Sequence, residues 1–236
     1  MITFRPARAR GHFNHGWLDT YHSFSFAEYL DPRYMGYRTL RVINEDKVAP
    51  RAGFPTHGHR DMEIVTYILE GALAHKDSTG SAGTIRPGDV QRMSAGTGVQ
   101  HSEFNAVDEV THLLQIWILP SERGIEPSYE EKHFPESERR GRLRVIAAPD
   151  GREGAVTIRQ DALIYASLLG PGDQVTHRLE AGRGAWLQLA KGVLDLQGHQ
   201  MNPGDGAAIE DLAEFTMRGG NPESGQPAEF LLFDLA

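Results

Sequence analysis

The chain of 236 residues contains no cysteine. This excludes disulfides, thiolate metal sites, cysteine-ligated iron–sulfur clusters and a cysteine nucleophile. Long apolar runs are missing too. No stretch approaches the roughly 20 residues of a membrane span, and Met1-Ile2-Thr3-Phe4-Arg5-Pro6 lacks the apolar core of a secretory signal. The expectation is a soluble, cytoplasmic protein without a membrane partner. Basic charge is in deficit, with 24 Lys and Arg against 32 Asp and Glu and a net charge of −8. Nucleic acid, which is held through phosphate contacts, is not an expected partner. No Gly-x4-Gly-Lys-[Ser/Thr] phosphate loop or Gly-x-Ser-x-Gly elbow occurs, and Gly96-Thr97-Gly98-Val99-Gln100-His101 breaks the dinucleotide fingerprint at its last glycine. A chain of this length buries about 70–75% of its unfolded surface. A metal is therefore not needed to hold the fold, and any metal would serve chemistry.

Glycine (26) and proline (13) are plentiful and leave only short apolar runs between them. The runs 39–44, 63–69, 112–119, 143–147, 162–169, 185–190, 193–196 and 229–235 are rich in Val, Ile, Leu, Tyr or Trp and read as strands. The fold class is all-β, a sandwich or barrel. Two stretches resemble each other: Tyr67-Ile68-Leu69-Glu70-Gly71 leads to Arg86-Pro87-Gly88-Asp89, and Leu189-Ala190-Lys191-Gly192 leads to Met201-Asn202-Pro203-Gly204-Asp205. They suggest two related β-domains, although Pro-Gly-Asp is also simply a favourable turn. Between them the charged segment 120–142 reads as a solvated linker, with one short helix around residues 129–132. The expected division is 1–130 and 131–236.

Two pairs carry the chemistry: His57 and His59, then His101 and Glu103. On a strand, i,i+2 spacing puts both side chains of a pair on one face. Two such strands facing across a barrel would bring three imidazoles and a carboxylate to one point. Such nitrogen and oxygen donors suit iron, nickel, copper, zinc or manganese. Taken singly, a His-x-His pair is more often two hydrogen-bonded or surface histidines than a ligand pair.

The surroundings of each pair narrow the choice. Gly53-x3-His57-x-His59-x3-Glu63-x7-Gly71 resembles the first cupin motif, with two residues fewer before the first His and one more before the last Gly. Gly98-x2-His101-x3-Asn105 resembles the tail of the second cupin motif, with Gly96 where a proline is usual. The run Phe54-Pro-Thr-His-Gly-His-Arg-Asp-Met-Glu63, with Leu69-Glu-Gly-Ala72, Gly88-Asp-Val-Gln91 and Gly98-x2-His-Ser-Glu103, resembles the pirin family. His15-Gly-Trp-Leu-Asp-Thr-Tyr-His-Ser-Phe-Ser-Phe26 and Ser121-Glu-Arg-Gly-Ile-Glu-Pro-Ser-Tyr129 fit its short bacterial branch.

That resemblance implies a bicupin: two cupin-like β-barrel domains, with one divalent metal held in the first by His57, His59, His101 and Glu103. Iron(II) is the implied metal, with nickel, copper, manganese, cobalt or zinc as alternatives. The implied activity is that of a quercetin 2,3-dioxygenase on flavonols. Four ligands on a six-coordinate ion leave two positions open, for the aromatic substrate and dioxygen. Glu103 is also the candidate catalytic residue, receiving the substrate's proton, with reduced basicity when coordinated. A metal-dependent regulatory protein acting on a protein partner is the alternative implied by animal pirins, and a metal-dependent sugar isomerase is a third.

Glu63 is in phase with His57 and His59 on a regular strand and competes with Glu103. In the family pattern Glu103 coordinates, and Glu63 accepts a ring N–H from a ligand histidine. The second half carries only His177 and His199, unpaired, and is expected to lack metal. Phe13, Trp17, Tyr21, Phe24 and Phe26 read as core rather than pocket. His12, His15, His22, His75, His112 and His133 have no spacing that assigns them.

Overall fold

A computed structural model describes residues 1–221 and 225–236. Each half of the molecule pairs a seven-stranded with a four-stranded sheet. In the first, the large sheet runs in the order Ser128–His133, Asp89–Ser94, Glu63–Glu70, Thr111–Ile118, Leu40–Val48, Leu18–His22, Gly11–Asn14. The small sheet is Gly53–His59, Val99–Asn105, Leu73–Asp77, Ala82–Ile85. In the second, the large sheet runs Ile2–Arg5, Gly206–Ile209, Gly184–Lys191, Ala228–Leu235, Ala162–Leu169, Arg144–Ala148, Val156–Thr157, with the small sheet Gln174–Arg178, Glu214–Gly219, Leu194–Leu196, His199–Met201. This is the two-barrel, all-β cupin architecture, and the apolar runs of the sequence supply its central strands. Among the described residues no helix is long and apolar enough to cross a membrane.

The two Pro-Gly-Asp turns lie at matching places. Each precedes the strand that flanks 63–70 or 184–191 in its large sheet. In each the Asp carboxylate accepts the N–H three residues back, from Arg86 (2.7 Å) and from Asn202 (2.8 Å). Gly88 and Gly204 adopt φ values of 97° and 86°, which exclude most other residues. Turn preference and internal repeat are therefore both at work.

Alternation along the strands divides their side chains between two destinations. One set, including Val65, Tyr67, Leu114, Ile116, Ile164, Trp186, Leu231 and Phe233, forms an apolar layer shared by the two large sheets. The other set points into the barrels, and here the halves differ. The second barrel is filled by Leu187, Leu189, Phe215, Met217, Phe230 and Leu232. In the first, the corresponding faces carry Asn44, Asp46, Thr66, His101, Glu103 and Gln115 beside a smaller apolar group around Ile68 and Leu113. A filled barrel serves as support; a polar, partly hollow one is costly unless it binds something.

The charged segment 120–142 is not a solvated linker, nor does its helix fall at 129–132. Residues Ser128–His133 form an edge strand paired with Asp89–Ser94, and the helix is Glu136–Arg139. An edge strand keeps one side in water and so accommodates charge; Glu130 there meets Arg92 (3.1 Å) while Tyr129 stacks on His75. At the other end, Ile2–Arg5 pairs with Gly206–Ile209 of the second half, a long-range pairing invisible to local pattern.

Candidate metal centre and cavity

The first histidine pair lies on Gly53–His59 and the second pair on Val99–Asn105, antiparallel neighbours with His57 opposite His101. Gly53 makes this pairing possible: a Cβ there would sit 2.1 Å from the carbonyl oxygen of Glu103. The Nε2 atom of His101 stands 2.9 Å from those of both His57 and His59. Imidazole nitrogens about 2.0–2.1 Å from one ion and at right angles lie about 3.0 Å apart, so the spacing fits a shared cation. Nδ1 of His57 donates to the carbonyl of Pro55 (2.8 Å), which leaves its Nε2 lone pair facing the cluster. Burial, followed by the charge of His57, lowers the pKa of His59 to about 4; burial and the neighbouring imidazoles lower that of His101 to about 3. Both are neutral donors at physiological pH. The donor set fits a single divalent transition metal.

Glu103 faces the same cavity without joining the three converging nitrogens. It is buried, and both carboxylate oxygens accept from Nε2 of Gln115, at 3.3 and 3.2 Å. Burial, offset in part by that bond, raises its pKa to about 7. Glu63 behaves otherwise than its phase suggested. The strand breaks at residues 60–62, with Asp61 at φ 48°, and this turn resets the alternation. Glu63 consequently sits in the large sheet, where its Oε2 accepts from Ser94 Oγ (2.8 Å) and the backbone N–H of Arg159 (3.1 Å). It is bonded to none of the three histidines.

A cavity of about 330 Å³ opens beside the histidines. Its walls include Leu18, Phe26, Phe54 and Trp117, and the ring of Trp117 stands edge-on to His59 at 4.9 Å. Phe26 therefore lines the pocket rather than the core, whereas Phe24 is core as expected. His15 and His22, unassigned by spacing, also line it. His75 pairs with Asp77 (3.2 Å) next to His101, and His112 with Glu45 (2.9 Å). In the second half His177 is tied to Asp234 (2.8 Å), and His199 stacks on Phe4.

Sequence reasoning missed Gln115, Asn44 and Asp46. The signal for Gln115 was a lone amide inside the run His112-Leu-Leu-Gln-Ile-Trp-Ile, and for the other two a polar i,i+2 pair continuing a strand. Asp46 is buried, and that burial raises its pKa from 3.8 to about 7. An acid whose folded pKa is raised contributes full stability below its unfolded pKa and loses it as pH rises to the folded value. Stability should therefore fall between pH 4 and 7 with a slope of at most about 1.4 kcal/mol per unit from this group. Asp46→Asn removes that component. Urea midpoints of wild type and variant, measured in chelator at several pH values, should diverge across this window in favour of the variant; parallel curves would contradict it.

The comparisons agree with this geometry. The Pirin family profile matches residues 3–118, and a profile described as the quercetinase C-terminal cupin domain matches 145–235. The quercetin 2,3-dioxygenase of Escherichia coli K12 is 43% identical over 236 residues, covering 100% of this chain and 99% of that protein. The crystal structure of YhhW from Escherichia coli superposes with a TM-score of 0.94 at 43% identity, covering 100% of this chain and 98% of that one. Its nickel(II) complex, described as a bacterial pirin, gives 0.91 at 43% identity, with coverage of 100% and 99%. With two cupin barrels, three converging imidazoles in the first and such relatives over its whole length, the chain belongs to the pirin family.

Proposed function

We propose that the protein is a metal-dependent dioxygenase that cleaves flavonols, with quercetin as the test substrate. The observation that carries this reading is the opening of the three-histidine cluster onto a cavity with aromatic and apolar walls. The enzyme names of the relatives support it. The metal-bearing unit is the N-terminal barrel, and the ligands are His57, His59 and His101 with Glu103 as the fourth. Iron(II) is the proposed ion, and the nickel complex of the relative makes nickel the first alternative to test. A divalent ion held there would supply Lewis-acid stabilisation of a phenolate and a position for dioxygen beside it.

The protein's own contributions are positioning and proton handling. Trp117, Phe54 and Phe26 confine a flat ring, fixing its orientation toward the histidines. Burial places the Glu103 carboxyl near 7; an ion held on one of its oxygens would lower that value, so the coordinated carboxylate would receive the phenol's proton as a weaker base. A carboxylate has two oxygens, so one can face the ion while the other receives the proton. The regulatory alternative is not favoured: relatives such as the Escherichia coli protein carry an enzyme name, although the Caulobacter vibrioides relative is named only a pirin-like protein, and the cavity has room for a small aromatic molecule.

Metal content together with oxygen uptake and carbon monoxide release on quercetin tests the proposal. One ion per chain with metal-dependent uptake is expected; turnover that survives complete metal removal would refute it. Glu103→Gln keeps the shape and the contact with Gln115 but removes the charge. It should hold less metal than wild type and lower turnover by about 10²-fold or more, the usual scale for a lost acid–base group. Equal metal content in variant and wild type would sink its assignment as a ligand.

A further inference from the structure

The large sheet facing the histidine cluster presents a polar row that the proposed chemistry does not use. Strands Leu18–His22, Leu40–Val48 and Thr111–Ile118 lie side by side, with His22 opposite Asn44, Asn44 opposite Gln115 and Thr20 opposite Asp46. All these residues line the cavity. His22, Asn44 and Asp46 are only 4%, 5% and 4% exposed, yet Nδ1 of His22, Oδ1 of Asn44 and Oδ1 of Asp46 have no hydrogen-bond partner among the described residues. Buried polar atoms are almost always paired, and leaving one unpaired costs free energy. Three such atoms in one cavity, on neighbouring strands of one sheet, mark a surface built to be completed by something that enters.

The chemistry of the atoms indicates what that is. Oδ1 of Asn44 and of Asp46 are oxygens that accept hydrogen bonds. Burial, with the charge of Arg10, lowers the pKa of His22 to about 4, so its ring is neutral and keeps one accepting nitrogen. Aromatic neighbours such as Phe26 and Trp117 suit a flat ring. We propose that His22, Asn44 and Asp46 form a hydroxyl-reading subsite, accepting hydrogen bonds from phenolic hydroxyls on the part of an aromatic ligand that lies against the large sheet. The choice of a polyphenol rests on the dioxygenase reading; the subsite itself rests on the three unpaired atoms. A site of this kind discriminates strongly against a ligand that lacks the hydroxyls, because its polar groups then stay unpaired.

The test is binding to the metal-loaded protein without oxygen, followed by the quenching of tryptophan fluorescence, with Trp117 in the cavity wall. Two probes are compared: quercetin, and the flavonol without hydroxyls on the pendant ring. Wild type should bind quercetin at least tenfold more tightly. Asn44→Leu and His22→Phe, which keep volume and remove the acceptors, should each reduce that preference to about threefold or less with little change for the other flavonol. Asn44→Asp, which keeps the oxygen, should retain it. His22→Phe keeps a ring in place and gives a readout should Asn44→Leu fail to fold. No preference in wild type, or a preference that survives both variants, overturns the proposal. Turnover under oxygen separates the two readings. A preference lost in the variants without any flavonol oxidation leaves the subsite and removes the dioxygenase; oxidation with an unaltered preference does the reverse.

Discussion

His101→Ala should purify without metal and lower oxygen uptake on quercetin by about a thousandfold or more. Of the three imidazoles His101 is the most buried, and its Nε2 lies within 2.9 Å of both others. Removing it leaves two donors that no longer define a shared centre. Lewis-acid stabilisation is worth several kcal/mol of barrier, and each 1.36 kcal/mol is about tenfold in rate, which sets the expected size. The stability readout separates metal from packing. In metal-free wild type a neutral His101 can donate its Nε2–H to one facing imidazole at 2.9 Å, so the metal-free variant, which loses that bond and a buried ring, should melt somewhat below metal-free wild type. Added metal should raise the melting temperature of wild type and leave that of the variant unchanged, since only a ligand that binds the native state stabilises it. Metal analysis, calorimetry with and without chelator, and an oxygen electrode check this. Full metal content in the variant would show that His101 is not a ligand.

This result would also show why the histidines were legible in the sequence while their surroundings were not. His57, His59, His101 and Glu103 announce themselves because i,i+2 spacing survives on any regular strand. Glu63 misled because its phase assumed an unbroken strand, and the turn at Asp61 closes the polar run 56–61 with no glycine or proline at 60–62 to mark it. Gln115, Asn44 and Asp46 are visible as polar residues in apolar company. Whether they face the shared layer or the barrel depends on which sheet packs on which, and that information is tertiary. The strand at 128–133 was hidden for a different reason: an edge strand has one solvated side, so its composition resembles that of a loop. Arg139, read as part of a solvated run, shows the same difficulty, since burial of a charge depends on partners distant in sequence.

Arg139→Ala should destabilise the protein by about 3–5 kcal/mol, the range for removing one partner of a buried ion pair. Its guanidinium is buried where the short helix 136–139 meets both large sheets. Nη1 donates to Oε1 of Glu229 (2.9 Å) and to the hydroxyl of Tyr67, and Nε donates to the carbonyl of Phe134 (3.1 Å). Tyr67 in turn donates to the same Glu229 oxygen (2.7 Å). Tyr67 belongs to the first half, Glu229 to the second and Arg139 to the connection, so one cation closes the seam between all three. Burial holds the Tyr67 hydroxyl well above its ordinary pKa, so it stays a neutral donor and cannot replace the lost positive charge. At roughly 2–4 °C per kcal/mol for a chain of this size, the melting point should fall by about 6–20 °C. The cost arises mainly from the Glu229 carboxylate left without its cation, so Arg139→Met combined with Glu229→Gln should recover much of it. A double-mutant cycle in urea measures the coupling. A loss below about 1 kcal/mol for Arg139→Ala, the scale of an exposed pair, would mean that water screens this seam and that the halves are joined by their apolar layer alone.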